Sequence, residues 1–343
     1  MPHDIVVIGA SAGGVEALTR IVADLPADLP AALFVTSHFP SSSRSVLPQI
    51  LSRSGKLAAV HPEGSERIRQ GRIYVAPPDY HLMLARGCAV LSPGPKENGH
   101  RPAIDTMFRS AAEVYGKRVV GVILTGMLDD GVAGLMAIKA SGGVALVQDP
   151  EDAFSSGMPQ AAIKRVAVDR IVPLDQIGAA ITEAVRGEMP GGSATVNEEG
   201  EELIRKEMEL GNIVPPVDDP SQVPGNLTMY TCPECHGTLW EVNEGGVLRY
   251  RCHVGHAYNE DSFLSEKTVE LESALWTALR TLQEHSAILK RMHDRAESRG
   301  HLHSAKRLFS NHEEAERRSK IIRNVLLNSP MLHPNGSGHG SDD

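Results

Sequence analysis

The sequence predicts an α/β protein: a doubly wound, mostly parallel sheet, then a small metal-binding ribbon and a C-terminal helical hairpin. Three observations predict it. From Asp4 to about Arg186, short β-branched apolar runs alternate with longer segments of helical period, the pattern of parallel strands joined by crossover helices. A Cys-x2-Cys pair and a Cys-x3-His pair lie within one compact stretch, Tyr230 to Tyr258. Two long helical-period segments then follow, about Asp261–Ala296 and His301–Leu327, with Gly300 as the break between them.

The strands are expected at Ile5–Gly9, Ala31–Ser37, Gly71–Pro77, a hairpin over His81–Ser92, Arg118–Thr125 and Gly142–Asp149. Each is a run of Val, Ile, Leu or aromatic residues bounded by Gly, Pro, Ser or Asp. The helices are expected at Val15–Ala23, Ser43–Ser54, Pro102–Tyr115, Gly131–Ser141, Met158–Ala167 and Leu174–Val185. The composition then turns small, polar and acidic, as in a linker. The expected division is a catalytic domain over 1–188, a linker over 189–228 with a short helix at Glu201–Glu209, a ribbon over 229–260, helices over 261–328 and a disordered tail over 329–343.

The 343 residues exceed what most single cores organise, and 41% hydrophobic residues suffice for a substantial core. A net charge of −9 argues against nucleic acid or an anionic membrane as partner. No apolar run reaches the roughly 20 residues a membrane helix needs, and the N-terminus lacks a signal-peptide pattern, so a soluble cytoplasmic protein is expected. Four cysteines in so long a chain do not make a disulfide framework.

The stretch Gly9-Ala10-Ser11-Ala12-Gly13-Gly14 admits two readings, a phosphate-cradling turn or a mount for a nucleophile. The dinucleotide fingerprint wants glycine where Ser11 stands, and an acidic residue after the second strand, which instead ends Thr36-Ser37-His38-Phe39. No Lys-Ser or Lys-Thr pair follows the glycines, so a P-loop fails as well. Gly-x-Ser-x-Gly, by contrast, holds a serine on a sharp strand-to-helix turn. A serine hydroxyl needs an imidazole to take its proton and a carboxylate to fix that imidazole. In an open α/β sheet these belong at the carboxyl ends of strands. Ser11 follows the first strand, His38 the second, and Asp129-Asp130 the strand ending Ile123-Leu124-Thr125. The loop Gly126–Gly131 is rich in residues that permit close backbone approach, as an oxyanion site needs. The order Ser, His, Asp differs from that of the α/β-hydrolases, and membership of that superfamily is not expected.

These residues, IGASAGG, then SHFP at Ser37–Pro40, APPDYHL at Ala76–Leu82, RPAIDTMFRSAA at Arg101–Ala112, GVILTGMLDDG at Gly121–Gly131 and DPEDAFSSGMPQAA at Asp149–Ala162, together resemble the catalytic domain of the CheB-type protein-glutamate methylesterases of bacterial chemotaxis. The resemblance covers about the first 185 residues. It implies Ser11 as nucleophile, His38 as base and Asp130 as orienter, where the residues alone leave Asp129 open. It places the oxyanion amide at Met127, with Gly126 and Gly13 as further candidate oxyanion and substrate-binding positions. It further implies a glutamyl methyl ester on a chemoreceptor or similar signalling protein as substrate, methanol as product, glutamine deamidation as a second activity, and no cofactor for catalysis. A methyltransferase and a separate regulator of the same pathway are the implied partners. Family members commonly carry threonine where this chain has Ala12, so one supporting hydroxyl is absent. Because Asp4 lies one residue before the first strand, gating by an attached receiver domain is not expected.

Cys232, Cys235, Cys252 and His256 form a Cys-x2-Cys, sixteen intervening residues and a Cys-x3-His. That set supplies the four N/S ligands of a closed tetrahedral Zn²⁺ site, with two short strands turning at Gly245-Gly246. His253 is a rival fourth ligand, constrained by its neighbour Cys252. Cys88 reads as a small buried residue. In the first helical segment an apolar stripe at Leu271, Leu275, Ala278, Leu279 and Leu282 suggests a coiled coil, either packing within the chain or associating with a second copy or partner. The sequence therefore points to a serine esterase; the alternative is a non-catalytic signalling scaffold that recruits proteins through ribbon and helices.

Overall fold

The computed structural model describes residues 3–38, 45–187, 225–244 and 247–328. Its centre is a seven-stranded parallel sheet of β1 (Ile5–Ala10), β2 (Ala32–Ser37), β3 (Ala58–Val60), β5 (Arg72–Val75), β8 (Val119–Ile123), β9 (Val144–Gln148) and β10 (Arg170–Val172). The spatial order is β10-β9-β8-β1-β2-β5-β3. β1 is buried along its whole length because both sheet faces are covered, which is why it reads as an unbroken apolar run.

Alternate residues of the strands serve opposite cores. Val6, Ile8, Leu33, Val35, Val120 and Val122 face α1 (Gly14–Asp24), α2 (Leu47–Ser54) and α6 (Leu174–Arg186), where Leu18, Leu51 and Ile181 complete one cluster. Val7, Phe34, Tyr74 and Val147 face α3 (Ile104–Tyr115), α4 (Val132–Ala140) and α5 (Gly157–Arg165) with Phe108, Ile138 and Met158. β1 feeds a helix on the first face and β8 feeds one on the second. The loops after these adjacent strands thus diverge and open a crevice at their carboxyl ends, the switch point of a doubly wound sheet.

The strand-and-helix alternation stands as expected, with element ends shifted by up to two residues in most cases. Of the expected helix Ser43–Ser54, only Leu47–Ser54 is helical, and residues 43 and 44 lie outside the described residues. Before the ribbon, three strands were not foreseen: β3, β10 and β4 (Ser65–Arg67). Each has three residues and owes its extension to a ladder partner rather than to its own composition. β4 joins β7 (Cys88–Ser92) and β6 (His81–Ala85) in an antiparallel sheet of order β4-β7-β6. Cys88 is half-buried, not buried, because it starts β7 at the hairpin end.

The ribbon is larger than two strands. β11 (Asn226–Thr231), β12 (Thr238–Glu244), β13 (Val247–Cys252) and β14 (Ala257–Asn259) form a four-stranded antiparallel sheet in chain order. Residues 226–228, expected in the linker, belong to β11. The rest of that linker, the short helix at Glu201–Glu209, the Gly245-Gly246 turn and the tail over 329–343 lie outside the described residues. From Leu264 onward the chain forms a separate compact unit built on α7 (Glu260–Ser298) and α8 (Leu302–Asn328), with Gly300 between them at a φ of 75°. Its small core joins Leu279 and Leu326 with Leu275 and Ile322. Leu271 of the expected stripe is exposed, since this core begins further along α7. Among the described residues no helix is long and apolar enough to cross a membrane.

Candidate active site

Ser11 follows β1 with no spacer, and the chain turns at once into α1. Its amide donates to Thr125 O at 2.9 Å, and Gly14 N returns to Ser11 O at 2.8 Å, which closes the turn and ties it to the loop after β8. Gly13 caps α1 at a φ of 76°, and a Cβ there would sit 2.7 Å from that of Phe154. Gly126 is equally confined. A Cβ on it would stand 2.1 Å from Met158 Sδ and 2.9 Å from Ser11 Cβ, so only glycine lets the β8 loop lie against the serine.

The three side chains read from the strand ends do meet. His38 Nδ1 lies 3.1 Å from Ser11 Oγ, and His38 Nε2 lies 2.8 Å from Asp130 Oδ2. An ionised carboxylate only accepts, so the imidazole proton is on Nε2 and Nδ1 is free to accept from the serine hydroxyl. Asp129 takes no part in this. It turns away to accept from Arg165 Nη1 at 2.9 Å and Ser262 Oγ at 2.8 Å.

Asp130 is fixed from both sides. Its Oδ2 also accepts the Ile104 amide at 2.7 Å, and its Oδ1 accepts Asn98 Nδ2 at 2.8 Å and the Asp105 amide at 3.2 Å. The two amides belong to the first turn of α3, whose unpaired N–H groups and dipole favour a negative charge. Burial alone would raise the Asp130 carboxyl, but the hydrogen bond and charge of His38 and the Ile104 amide hold it well below the usual range. Its neighbour Asp105 is pushed the other way, to about 7, by burial and by the Asp130 charge. His100 stacks on His38 with ring centroids 3.7 Å apart and planes 17° from parallel. Burial, followed by the charge of His38, lowers its pKa to about 4.

Of the three candidate oxyanion positions, Gly126 donates its amide to Ser155 O at 3.0 Å, which removes it as a donor and leaves its role as one of space. Met127 and Phe154 are exposed, with 53% and 83% of their surface accessible. Among the described residues the amides of Met127 and Gly13 donate to no backbone acceptor. Asn98, His100 and Asp105 were not singled out from the sequence. The dipeptide Asn98-Gly99 is a turn signal, but nothing in it says that the turn reaches Asp130.

The second constellation also assembles. One ligand atom from each of Cys232, Cys235, Cys252 and His256 lies within 4.8 Å of every other. Cys235 Sγ is 3.6 Å from Cys252 Sγ, and His256 Nδ1 is 3.7 Å and 3.5 Å from the sulfurs of Cys232 and Cys252. Tetrahedral Zn–S and Zn–N bonds of about 2.3 and 2.0 Å would give S···S edges of about 3.8 Å and S···N edges of about 3.5 Å. The residues fit such an ion. His253 is not in the cluster; its ring lies instead against Gly237.

A doubly wound α/β domain that brings serine, imidazole and carboxylate together at its switch point has the constellation of a serine hydrolase. The chain belongs to the CheB methylesterase family, whose profile matches residues 6–181. It is 41% identical over 193 residues to protein-glutamate methylesterase/protein-glutamine glutaminase 6 of Anaeromyxobacter dehalogenans, covering 54% of this chain and 55% of that one. It is 38% identical over 178 residues to a putative protein of the same description from Leptospira interrogans, covering 52% of this chain and 92% of that one. The crystal structure of the Thermotoga maritima CheB methylesterase catalytic domain is similar at 34% identity and a TM-score of 0.51, over 52% of this chain and 97% of that one. The chain spans about half the length of the Anaeromyxobacter relative and nearly all of the Leptospira one.

Proposed function

We propose that this protein is a serine esterase that hydrolyses glutamyl methyl esters on a chemoreceptor or similar signalling protein. The observation that carries this reading is the unbroken path from Ser11 Oγ through His38 to a buried Asp130, 3.1 and 2.8 Å per step. In the reaction, His38 Nδ1 takes the Ser11 proton as Oγ attacks the ester carbonyl, and Asp130 opposes the positive charge that forms on the imidazole. The Met127 amide stabilises the oxyanion, a donor of this kind being worth roughly 3 kcal/mol. His38 returns the proton to the departing methoxide, which leaves as methanol. Water, activated by the same imidazole, then frees the glutamate and Ser11. The same steps on a glutamine side chain release ammonia, a second activity consistent with the names of the relatives.

None of these steps uses a cofactor. Cys232, Cys235, Cys252 and His256 hold a structural Zn²⁺, whose chemistry is to lock a ribbon with little core of its own. The division into catalytic domain, ribbon and helices belongs to this proposal, as does association through the helices. Leu264, Trp276 and Ile288 of α7 and Phe309 of α8 leave 66, 47, 54 and 44% of their surfaces accessible. The test of the esterase is methanol release from a methylated receptor by the wild type and by Ser11→Ala. Loss of release in the variant is expected, and equal release by both would refute the reading.

A further inference from the structure

The strand that leaves the metal-ligand cluster runs straight into the support of Asp130. His256 is the last of the four clustered side chains, and β14 begins at the next residue. Asn98 is held by that strand from two sides. Its amide donates to Ala257 O at 2.8 Å, and its Oδ1 accepts the Asn259 amide at 2.8 Å. A side-chain amide whose oxygen is pinned in this way has only its nitrogen left to offer elsewhere. That nitrogen donates to Asp130 Oδ1 at 2.8 Å and Asp105 Oδ2 at 2.9 Å, bridging the two buried carboxylates. The Asn98 backbone at a φ of 52° is a conformation that asparagine tolerates better than most residues.

The same junction touches the other groups around the triad. Asn259 Nδ2 reaches Asp105 Oδ2 at 3.3 Å and Asp129 O at 3.4 Å, and Ser262 Oγ donates to Asp129 Oδ1 at 2.8 Å. One residue before Asn98, the buried Glu97 accepts from Arg249 of β13 at 2.9 Å and from Arg109 of α3 at 2.7 Å. These bonds set the register between the ribbon and the Glu97–Asn98 turn. If β14 moved, Asn98 would lose its backbone bond to Ala257 and the bond that pins its Oδ1, and with them its orientation toward Asp130. Asp130 Oδ1 would then keep only the Asp105 amide, at 3.2 Å.

We propose that Asn98 and Asn259 are positioning residues for Asp130, and that the Cys232, Cys235, Cys252 and His256 cluster, by fixing β14, makes metal loading a condition for a competent Ser11–His38–Asp130 relay. The inference rests on the esterase reading above. The ribbon is then a part of the active site's scaffold, and the esterase responds to whatever loads or strips its metal.

The test uses the full-length chain and an alkyl phosphonofluoridate, whose rate of covalent attachment to Ser11 reports nucleophile activation without receptor recognition. Asn98→Gly removes the amide while keeping the backbone conformation, and Asn98→Asp keeps the shape but faces Asp130 with an acceptor. Both should label about 10- to 100-fold more slowly, the scale of a misaligned reacting group. The KM for a methylated receptor should stay within about twofold, and the far-downfield NMR signal of the His38–Asp130 proton should shift or vanish. Removing zinc with a chelator should slow labelling and displace that signal likewise, and restoring zinc should reverse both. Lys96→Ala removes the outer ion pair of the same junction, Lys96 to Glu234 at 2.5 Å, and should label as the wild type does.

Asn98 variants or zinc-stripped protein that label at the wild-type rate with an unmoved proton signal would overturn the inference alone. So would an equal slowing by Lys96→Ala, which would mean that any loosening of the junction suffices. A wild type that the probe does not label would overturn the esterase reading and this inference with it.

Discussion

Replacing Asp130 by asparagine changes one atom and tests the electrostatic core of the site. The carboxylate accepts four N–H groups: His38 Nε2 at 2.8 Å and Ile104 N at 2.7 Å on one oxygen, Asn98 Nδ2 at 2.8 Å and Asp105 N at 3.2 Å on the other. Asparagine has one acceptor oxygen, so its NH2 must confront one of these pairs. Turned toward Asn98 and Asp105, it keeps the bond to His38 but loses the charge that stabilises the imidazolium. Turned the other way, it sets donor against donor at His38 and favours the tautomer with the proton on Nδ1, which cannot accept from Ser11. A hydrogen bond to a charged group is worth about 1.5–3 kcal/mol, so the two lost bonds cost about 3–6 kcal/mol. That range spans the roughly 10⁴-fold loss in kcat seen when a serine-protease aspartate is made asparagine, a fall equivalent to about 5.4 kcal/mol. The assay is methanol release over a range of receptor concentrations, with thermal unfolding run alongside. A kcat within tenfold of the wild type, in a variant that melts as a folded protein, would refute the assignment of Asp130 as the orienting carboxylate.

Gly126→Ala should lower kcat at least tenfold, since the added methyl at 2.1 Å from Met158 Sδ and 2.9 Å from Ser11 Cβ must push the β8 loop off the serine; an unchanged rate of methanol release would contradict that confinement. His100, held neutral to about pH 4, makes stability depend on pH. The unfolded chain takes up this proton as pH falls through about 6.5 and the folded chain only near 4, so stability present above 6.5 is lost between those values, by ~3 kcal/mol at most. His100→Phe keeps the stack on His38 without the titration, and urea unfolding at pH 7, 5.5 and 4.5 should give it a flatter profile; parallel profiles would exclude this linkage. Glu97→Gln withdraws the carboxylate that Arg109 and Arg249 both face in the interior and should cost about 3–5 kcal/mol in the same assay. A loss under about 1 kcal/mol would mean that those guanidiniums are satisfied without it.

Strands buried on both faces announce themselves, and the residues just after them inherit that clarity. Ser11, His38 and Asp130 were legible because each follows such a run, Ser11 and His38 directly and Asp130 in the loop after β8, and parallel strands bring their carboxyl ends to one edge. Asn98, His100 and Asp105 were not, because they come from a turn and from the first turn of α3. Their approach to the triad is set by how α3 packs against β1 and β8. The ribbon's docking was hidden for a related reason. In Val247–Cys252 the alternation places Arg249 and Arg251 on the side that a half-buried strand would give to solvent. That side is buried against the α/β domain, where Glu97 receives Arg249. Burial pushes the Glu97 carboxyl up, but Arg109, Arg249 and Arg251 hold it well below its ordinary range. A buried ion pair cannot be seen in either of its halves.

Three buried aspartates crowd the edge of the sheet near His38, and the fold keeps their charges distinct. Asp129 is raised by burial, though its bonds to Ser262 and Arg165 counter this, and its side chain lies away from the imidazole. Asp105 is raised to about 7 by burial and by Asp130. Asp130 alone is held low, with donors on both of its oxygens. The carboxylate that touches His38 is thus the one held low, and it is already surrounded by its hydrogen bonds before any proton leaves Ser11. Electrostatic stabilisation of this kind acts through prior alignment rather than through strength alone, since dipoles that need not turn cost nothing at the moment of reaction. Two of the four aligning donors come from the α3 amides and a third is the base itself. The fourth, Asn98, is the only one whose orientation depends on a strand beyond residue 181, where the match to the family ends.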